Sequence, residues 1–163
     1  MTASKSLRFA IGDNDGPMRS LAYYRVVSGA LTGLDGIPVE IEVTVMPGLP
    51  NFEITGRGDS AIRESRDRVR AAILHSGFEF PKGRVVASYA PASLPKQGSA
   101  FDLPLALAVL AASSQVVRPQ NLPSSACFGE LALNGRVKPV SGVLGRLLAL
   151  REQGIRHVIG PRD

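Results

Sequence analysis

Hydrophobic and polar residues alternate along much of the chain, and the alternation is clearest over residues 37–45. There, aliphatic residues at positions 39, 41, 43 and 45 are separated by polar ones. A period of two predicts a half-buried β-strand. The same pattern predicts further strands at 23–31, 52–56, 84–91 and 155–161. Between two alternating runs in 126–140 lies Asn134-Gly135, a pair typical of a hairpin turn.

Three segments carry a helical pattern instead. Residues 59–77 form an amphipathic segment, for which Asp59 is the predicted N-cap and Gly77 the C-terminal stop. Residues 99–113 contain no charge after Asp102, which predicts a helix buried on every face from about Ser99 to Ser113, with Pro104 close to its start. The last helix is predicted within 141–154, ending at Gly154. Because the connectors are short, we expect one mixed α/β domain.

Composition narrows the class of protein. The chain has 163 residues, 44% hydrophobic and 20% charged, as expected for one globular domain. A single cysteine, Cys127, excludes an internal disulfide and fits a reducing compartment. With no apolar run of about eighteen residues, we expect a soluble, cytoplasmic protein without a membrane partner. The turn-rich residues 1–21 predict a flexible N-terminal extension, native or added, ahead of a domain at 22–163.

The sequence contains no motif for binding a metal ion or a nucleotide. His75, His157 and Cys127 lack the spacings that bring ligands to one ion, so no metal site is predicted. His75 is expected to interact with a helix C-terminus, and Cys127 to be a small core residue. No GxxxxGK[ST] loop is present, so we expect this chain to bind no cofactor.

A basic face is predicted on the first helix. Arg63, Arg66 and Arg70 recur at helical spacing, and Lys96 could extend the face. The net charge of +5 permits contact with DNA. Two interpretations stay open: a solvated face with ion pairs such as Glu64–Arg68, or a face that contacts phosphates. Aromatic residues amount to only 6%, which weakens the case for a base-stacking platform.

Ser99 is the one candidate nucleophile. A serine in a loop before a helix is usually an N-cap. A catalytic serine would need a base, and Lys96, Lys138 or another lysine would have to supply it. On these residues alone, the hypothesis of a Ser–Lys peptidase stays open.

Four long motifs resemble the N-terminal domain of the magnesium-chelatase-like AAA+ ATPases of the ComM/YifB type. They read VEIEVTVMPGLPNFEITG, DSAIRESRDRVRAAILHSGFEFP, APASLPKQGSAFDLPLALAVLAAS and GELALNGRVKPVSGVL. One departure is GRGDSAI, where the family usually has an apolar-Pro pair before the aspartate. The resemblance implies an ATP- and magnesium-dependent AAA+ module elsewhere in the same protein. It also implies a homo-hexamer and a DNA branch-migration helicase acting in natural transformation, with this domain serving DNA engagement or ring assembly.

That domain in turn resembles the proteolytic domain of Lon proteases, an α+β fold like domain 2 of ribosomal protein S5, with a mixed sheet and three helices. The Lon serine position falls on Ala100, and the Lon lysine position falls on Arg146. Alanine has no nucleophile and arginine stays protonated, so the resemblance implies a site without catalysis. Ser99 is one residue away, which turns a helical side chain by about 100°. The alternatives are a peptidase that uses Ser99 and a protein-interaction module without nucleic-acid binding.

Overall fold

The computed structural model describes residues 22–55, 60–93, 98–116 and 125–161, except for the side chains of 61–63. The predicted extension at 1–21, the N-cap Asp59 and Lys96 lie outside these ranges. Within them there are eight strands: β1 Ala22–Thr32, β2 Asp35–Met46, β3 Asn51–Thr55, β4 Arg84–Ala90, β5 Ser125–Cys127, β6 Glu130–Leu131, β7 Val137–Lys138 and β8 His157–Ile159. The three helices are α1 Ser60–His75, α2 Asp102–Ala112 and α3 Val143–Glu152. The predicted α+β class with three helices is confirmed.

Six strands form one mixed sheet in the order β3-β4-β2-β1-β5-β8. The pairs β1–β2 and β2–β4 are antiparallel, whereas β3–β4, β1–β5 and β5–β8 are parallel. Gly33, at φ 63°, provides the left-handed turn that joins β1 to β2. The predicted hairpin around Asn134-Gly135 is confirmed as the separate pair β6–β7.

The two faces of the sheet carry different helices. On one face, the alternating residues Val39, Ile41 and Val43 of β2 are buried in the main core with α1 and α2. The opposite face of the same hairpin carries Gly29 and Gly36, where α3 approaches closely. A Cβ on Gly36 would lie 2.1 Å from the carbonyl oxygen of Gly145 in α3, so only glycine admits the helix at this distance.

Helix α2 is buried almost all round, as its uncharged sequence predicts. The predicted start at Ser99 is instead a short 3-10 turn, Ser99–Phe101, which runs directly into α2. Pro104 is the third residue of α2, where its missing N–H removes no intrahelical bond. Helix α1 ends at His75, and the predicted stop Gly77 follows two residues later with a φ of 82°. No helix in the described ranges is long and apolar enough to cross a membrane.

Candidate functional site

The position equivalent to the Lon nucleophile is enclosed by protein. Ala100 lies in the 3-10 turn before α2 and is 3% exposed. Its carbonyl accepts a hydrogen bond from the N–H of Gly129 at 2.9 Å, and the carbonyl of Gly129 accepts one from Leu103 at 3.0 Å. The segment between β5 and β6 therefore holds the main chain at Ala100 and at Leu103.

Ser99 is bound to a carboxylate and does not cap the helix. Its hydroxyl donates to Oε2 of Glu130, and Oε1 of the same carboxylate accepts from Nζ of Lys138 at 3.3 Å. No side chain caps the 3-10 turn or α2, so the N-cap prediction for Ser99 is wrong. A carboxylate is a stronger acceptor for the hydroxyl proton than a neutral carbonyl, and β6 brings this carboxylate within reach of Ser99. The Ser99 hydroxyl and Lys138 lower the pKa of Glu130.

A buried ionic network lies beside this turn. Asp102, the first residue of α2, is fully buried. Arg68 of α1 donates to both of its oxygens, from Nε at 2.8 Å and from Nη2 at 3.1 Å. The hydroxyl of Ser65 and the N–H of Leu131, at 3.2 Å, also donate to this carboxylate. The network ties α1, α2 and β6 together around the turn that carries Ala100.

Sequence reasoning predicted Glu64 as the partner of Arg68 and missed Asp102. The Glu64 contact exists at 3.9 Å, and the Asp102 contact is much shorter. The hydrogen bonds that Arg68 donates to Asp102 raise the pKa of its guanidinium. One signal for this network was present in the sequence: Asp102 is the only charge in an otherwise apolar segment, and a buried charge needs a partner.

The position equivalent to the Lon lysine holds a buried guanidinium. Arg146 of α3 is 4% exposed, and this burial lowers its pKa. Its Nη1 donates to the carbonyl of Gly29, and its Nε to the carbonyl of Ser141 at 3.3 Å. Arg146 thus links α3 to a main-chain carbonyl of β1 and to one in the turn before the helix.

Ala100 and Arg146 belong to elements that pack on opposite faces of the sheet. Ala100 leads into α2, which packs on the core face of the sheet, and Phe101 next to it lies in that core. Arg146 lies on α3, which packs on the opposite face against Gly29. The polar groups closest to Ala100 in the chain, Ser99 and Asp102, bind Glu130 and Arg68 instead.

The predicted basic face is partly described. Arg66 and Arg70 are exposed on α1, Arg66 with its Nε 3.3 Å from a carboxylate oxygen of Asp67. The guanidinium of Arg70 lies over the ring of Phe80 at 5.2 Å from its centroid. Arg66 also lines a shallow depression of about 380 Å³ beside β3, together with Asn51, Phe52, Glu53 and Ile54. The side chain of Arg63 and all of Lys96 lie outside the described part.

Two other side chains have the surroundings that their patterns predict. Cys127 is buried in β5, and burial raises the pKa of its thiol to about 12. That environment makes it a core residue and not a nucleophile. The Nδ1 of His75 is 2.9 Å from the carbonyl of Ala71, one turn earlier in α1, as expected for a histidine at a helix C-terminus.

Two helices on one face of this mixed sheet, a third on the other, and the 3-10 turn before α2 define a Lon-protease-like α+β domain. The family described as subunit ChlI of Mg-chelatase matches residues 41–163. The chain therefore belongs to this magnesium-chelatase-like family.

Individual relatives agree with this assignment. The chain is 38% identical to the uncharacterized protein YifB of Escherichia coli over 134 residues, which are 82% of this chain and 26% of YifB. It is 39% identical to the competence protein ComM of Haemophilus influenzae over 138 residues, 85% of this chain and 27% of ComM. Lon protease 2 of Thermus thermophilus is 32% identical over 149 residues, covering 82% of this chain and 18% of that protease. The chain thus spans about a quarter of YifB and of ComM.

Proposed function

We propose that this chain is a non-catalytic domain of a magnesium-chelatase-like AAA+ ATPase that processes DNA. The lack of catalysis is supported by the two residues at the Lon catalytic positions. Ala100 offers no nucleophile, and Arg146 has a guanidinium already bonded to main-chain carbonyls. A general base must be able to lose its proton, which arginine does not do in proteins. The domain serves binding or assembly, and ATP and magnesium belong to the AAA+ module.

The peptidase alternative would have to use Ser99. Its hydroxyl donates to Glu130, and Lys138 is paired with the same carboxylate, so this lysine acts here as the cation of an ion pair. A serine-reactive fluorophosphonate probe tests this alternative. We expect wild type and Ser99→Ala to label equally weakly, and selective labelling of Ser99 would favour the peptidase.

DNA engagement is assigned to the exposed basic face of α1. Arg66 and Arg70, with Arg63 and Lys96 as further candidates, would contact phosphates in a sequence-independent way. The uncovered part of the opposite sheet face is a poorer candidate, since its arginines Arg25 and Arg84 are paired with Glu40 and Glu53 at 2.7 and 2.9 Å. An arginine held by a carboxylate is less available to a phosphate, so we expect DNA to bind the α1 face and not this one.

Salt-dependent binding of a fluorescent DNA duplex to the full chain tests this assignment. If about three phosphates are contacted, affinity should fall roughly 40-fold between 50 and 200 mM salt. Arg66→Glu should weaken binding several-fold and make the salt dependence shallower. Arg156→Glu is the matched control, because it makes the same charge change at an exposed site beside β8. Equal effects of the two substitutions, or no binding at 50 mM salt, would contradict the assignment.

A further inference from the structure

Strand β3 is an edge of the six-stranded sheet, and no strand in the described ranges pairs with its outer side. An edge strand presents unpaired main-chain N–H and C=O groups, which natural proteins protect with devices such as proline, lysine or a covering segment. The sequence of β3, NFEIT, contains neither proline nor lysine. Its one charge, Glu53, is already bonded to Asn51 at 2.7 Å and to Arg84 at 2.9 Å. A covering segment is therefore the protection that this edge calls for.

The depression of about 380 Å³ beside β3 follows this edge. Four consecutive residues of the strand, 51–54, line it together with Arg66 of α1. Because consecutive side chains of a strand point to opposite faces of the sheet, a space that all four residues border lies beside the strand and not over one face. Its volume is more than twice the roughly 150 Å³ of a core cavity that binds benzene. The depression therefore has room for a large side chain of an added strand.

The two faces of β3 define which sequence fits beside it. Phe52 and Ile54 belong to the main core on the side of α1, and Glu53 faces the other side of the sheet. A strand added here needs apolar residues on the core side and polar or small residues on the other. Residues 6–12, SLRFAIG, have this alternation and place Arg8 on the same side as the carboxylate of Glu53. The apolar positions of the segment are Leu7, Phe9 and Ile11.

The start of β1 lies within reach of this edge. Ala22, the first residue of β1, pairs with Val45, which pairs with Val85, which in turn pairs with Phe52 of β3. With about 4.8 Å between neighbouring strands, the place outside β3 is four spacings, or about 19 Å, from Ala22. Residues 13–21 span up to about 30 Å when extended. Their sequence, DNDGPMRSL, begins with residues typical of a turn, which suits a connection.

We propose that residues 6–12 of this chain add a strand to the free edge of β3, antiparallel to it. β1, β3 and β4 run in the same direction, and β1 begins level with the start of β3. A segment that ends near the start of β3 and continues into β1 has therefore run along β3 in the opposite direction. Its apolar side chains enter the depression on the side of Arg66. The added strand closes the edge, so that strands of other proteins cannot pair with it.

Amide hydrogen exchange of the full chain, followed by NMR at residues 51–55, tests the proposal. In the wild type we expect protection of the N–H groups that face β4 and also of those that face outward. The variant Phe9→Pro with Ala10→Pro removes two neighbouring N–H donors, so it breaks the pairing in either register. The outward N–H groups of β3 should then exchange at least about 10-fold faster, whereas β4 remains protected and shows that the domain is folded. Thr2→Pro with Ala3→Pro is the matched control, because it places the same change outside residues 6–12.

Three results would overturn the proposal. The outward N–H groups of β3 could exchange in the wild type at the rate of an unprotected peptide. They could be protected equally in the wild type and in the proline variant, or lose protection equally in the variant and its control, so that residues 6–12 are not what covers them. Protection that rises with protein concentration between about 20 and 500 µM would show instead that a strand of a second copy occupies the edge. None of these results bears on DNA binding or on catalysis, which the other assays measure separately.

Discussion

At the scale of single residues, the fully buried charge of Asp102 dominates the region around Ala100. A carboxylate removed from water is stable only when it is paired and hydrogen-bonded. Asp102 satisfies this through the guanidinium of Arg68, the hydroxyl of Ser65 and the N–H of Leu131. Arg68 is therefore part of the interior of the domain, although it belongs to the same helix as the exposed Arg66.

This difference predicts the cost of removing each arginine. Arg68→Ala leaves Asp102 buried without its counter-charge and should lower the free energy of unfolding by about 3–5 kcal/mol. Arg66→Ala removes only an exposed contact with Asp67 and should change it by less than about 0.5 kcal/mol. Urea denaturation followed by circular dichroism measures both values. Equal costs for the two variants would mean that the buried pair does not stabilise the fold.

At the scale of elements, the attachment of α3 depends on glycines that meet a helix backbone. A Cβ on Gly36 would lie 2.1 Å from the carbonyl oxygen of Gly145, and one on Gly29 would lie 3.2 Å from Cβ of Arg146. Gly154, which ends α3, has a different reason to be glycine. Its φ is 78°, and nothing lies within 4 Å of a Cβ built there.

Substitutions at Gly36 and at Gly154 therefore separate steric from conformational effects on stability. Gly36→Ala should cost about 3 kcal/mol, because α3 must move away from the hairpin. Gly154→Ala should cost about 1 kcal/mol, because alanine is forced into a left-handed conformation without any clash. Thermal or urea denaturation measures the loss in the free energy of unfolding for both variants. A Gly36→Ala variant as stable as Gly154→Ala would show that the contact between α3 and the hairpin is not close.

The elements differ in how far their sequence predicts them. Period-two alternation predicts β1, β2 and β4, and Asn134-Gly135 predicts the β6–β7 hairpin, because each pattern is complete within a few residues. The hydrogen-bond partner of Ser99 is not predictable in this way. Its acceptor Glu130 lies 31 residues further along the chain, and only the folded hairpin brings it close. The partner of Arg68 is likewise 34 residues away.

At the scale of the whole molecule, the two positions that correspond to the Lon catalytic pair belong to elements on opposite faces of the sheet. The turn carrying Ala100 leads to α2 on the core face, and Arg146 joins α3 to β1 on the other face. The residue types at both positions could be read from the sequence by resemblance. Their surroundings could not, because Gly129 reaches Ala100, and Gly29 reaches Arg146, only through the folding of the sheet.

We expect no substantial catalysis even when the Lon residues are placed back at positions 100 and 146. Ala100→Ser alone should remain inactive, since Arg146 cannot accept its proton. Adding Arg146→Lys supplies a group that can serve as a base, but its amine would start on the α3 side, next to the carbonyl of Gly29. We therefore expect at most a trace of activity from the double variant, measured against the folded wild type.

The most direct measurement is the hydrolysis of a fluorescence-quenched unfolded peptide by the wild-type chain and by Ser99→Ala. We predict that both give the rate of buffer alone, because neither contains a nucleophile with a base in reach. Cleavage by the wild type that Ser99→Ala abolishes would contradict the account and identify the domain as a Ser–Lys peptidase.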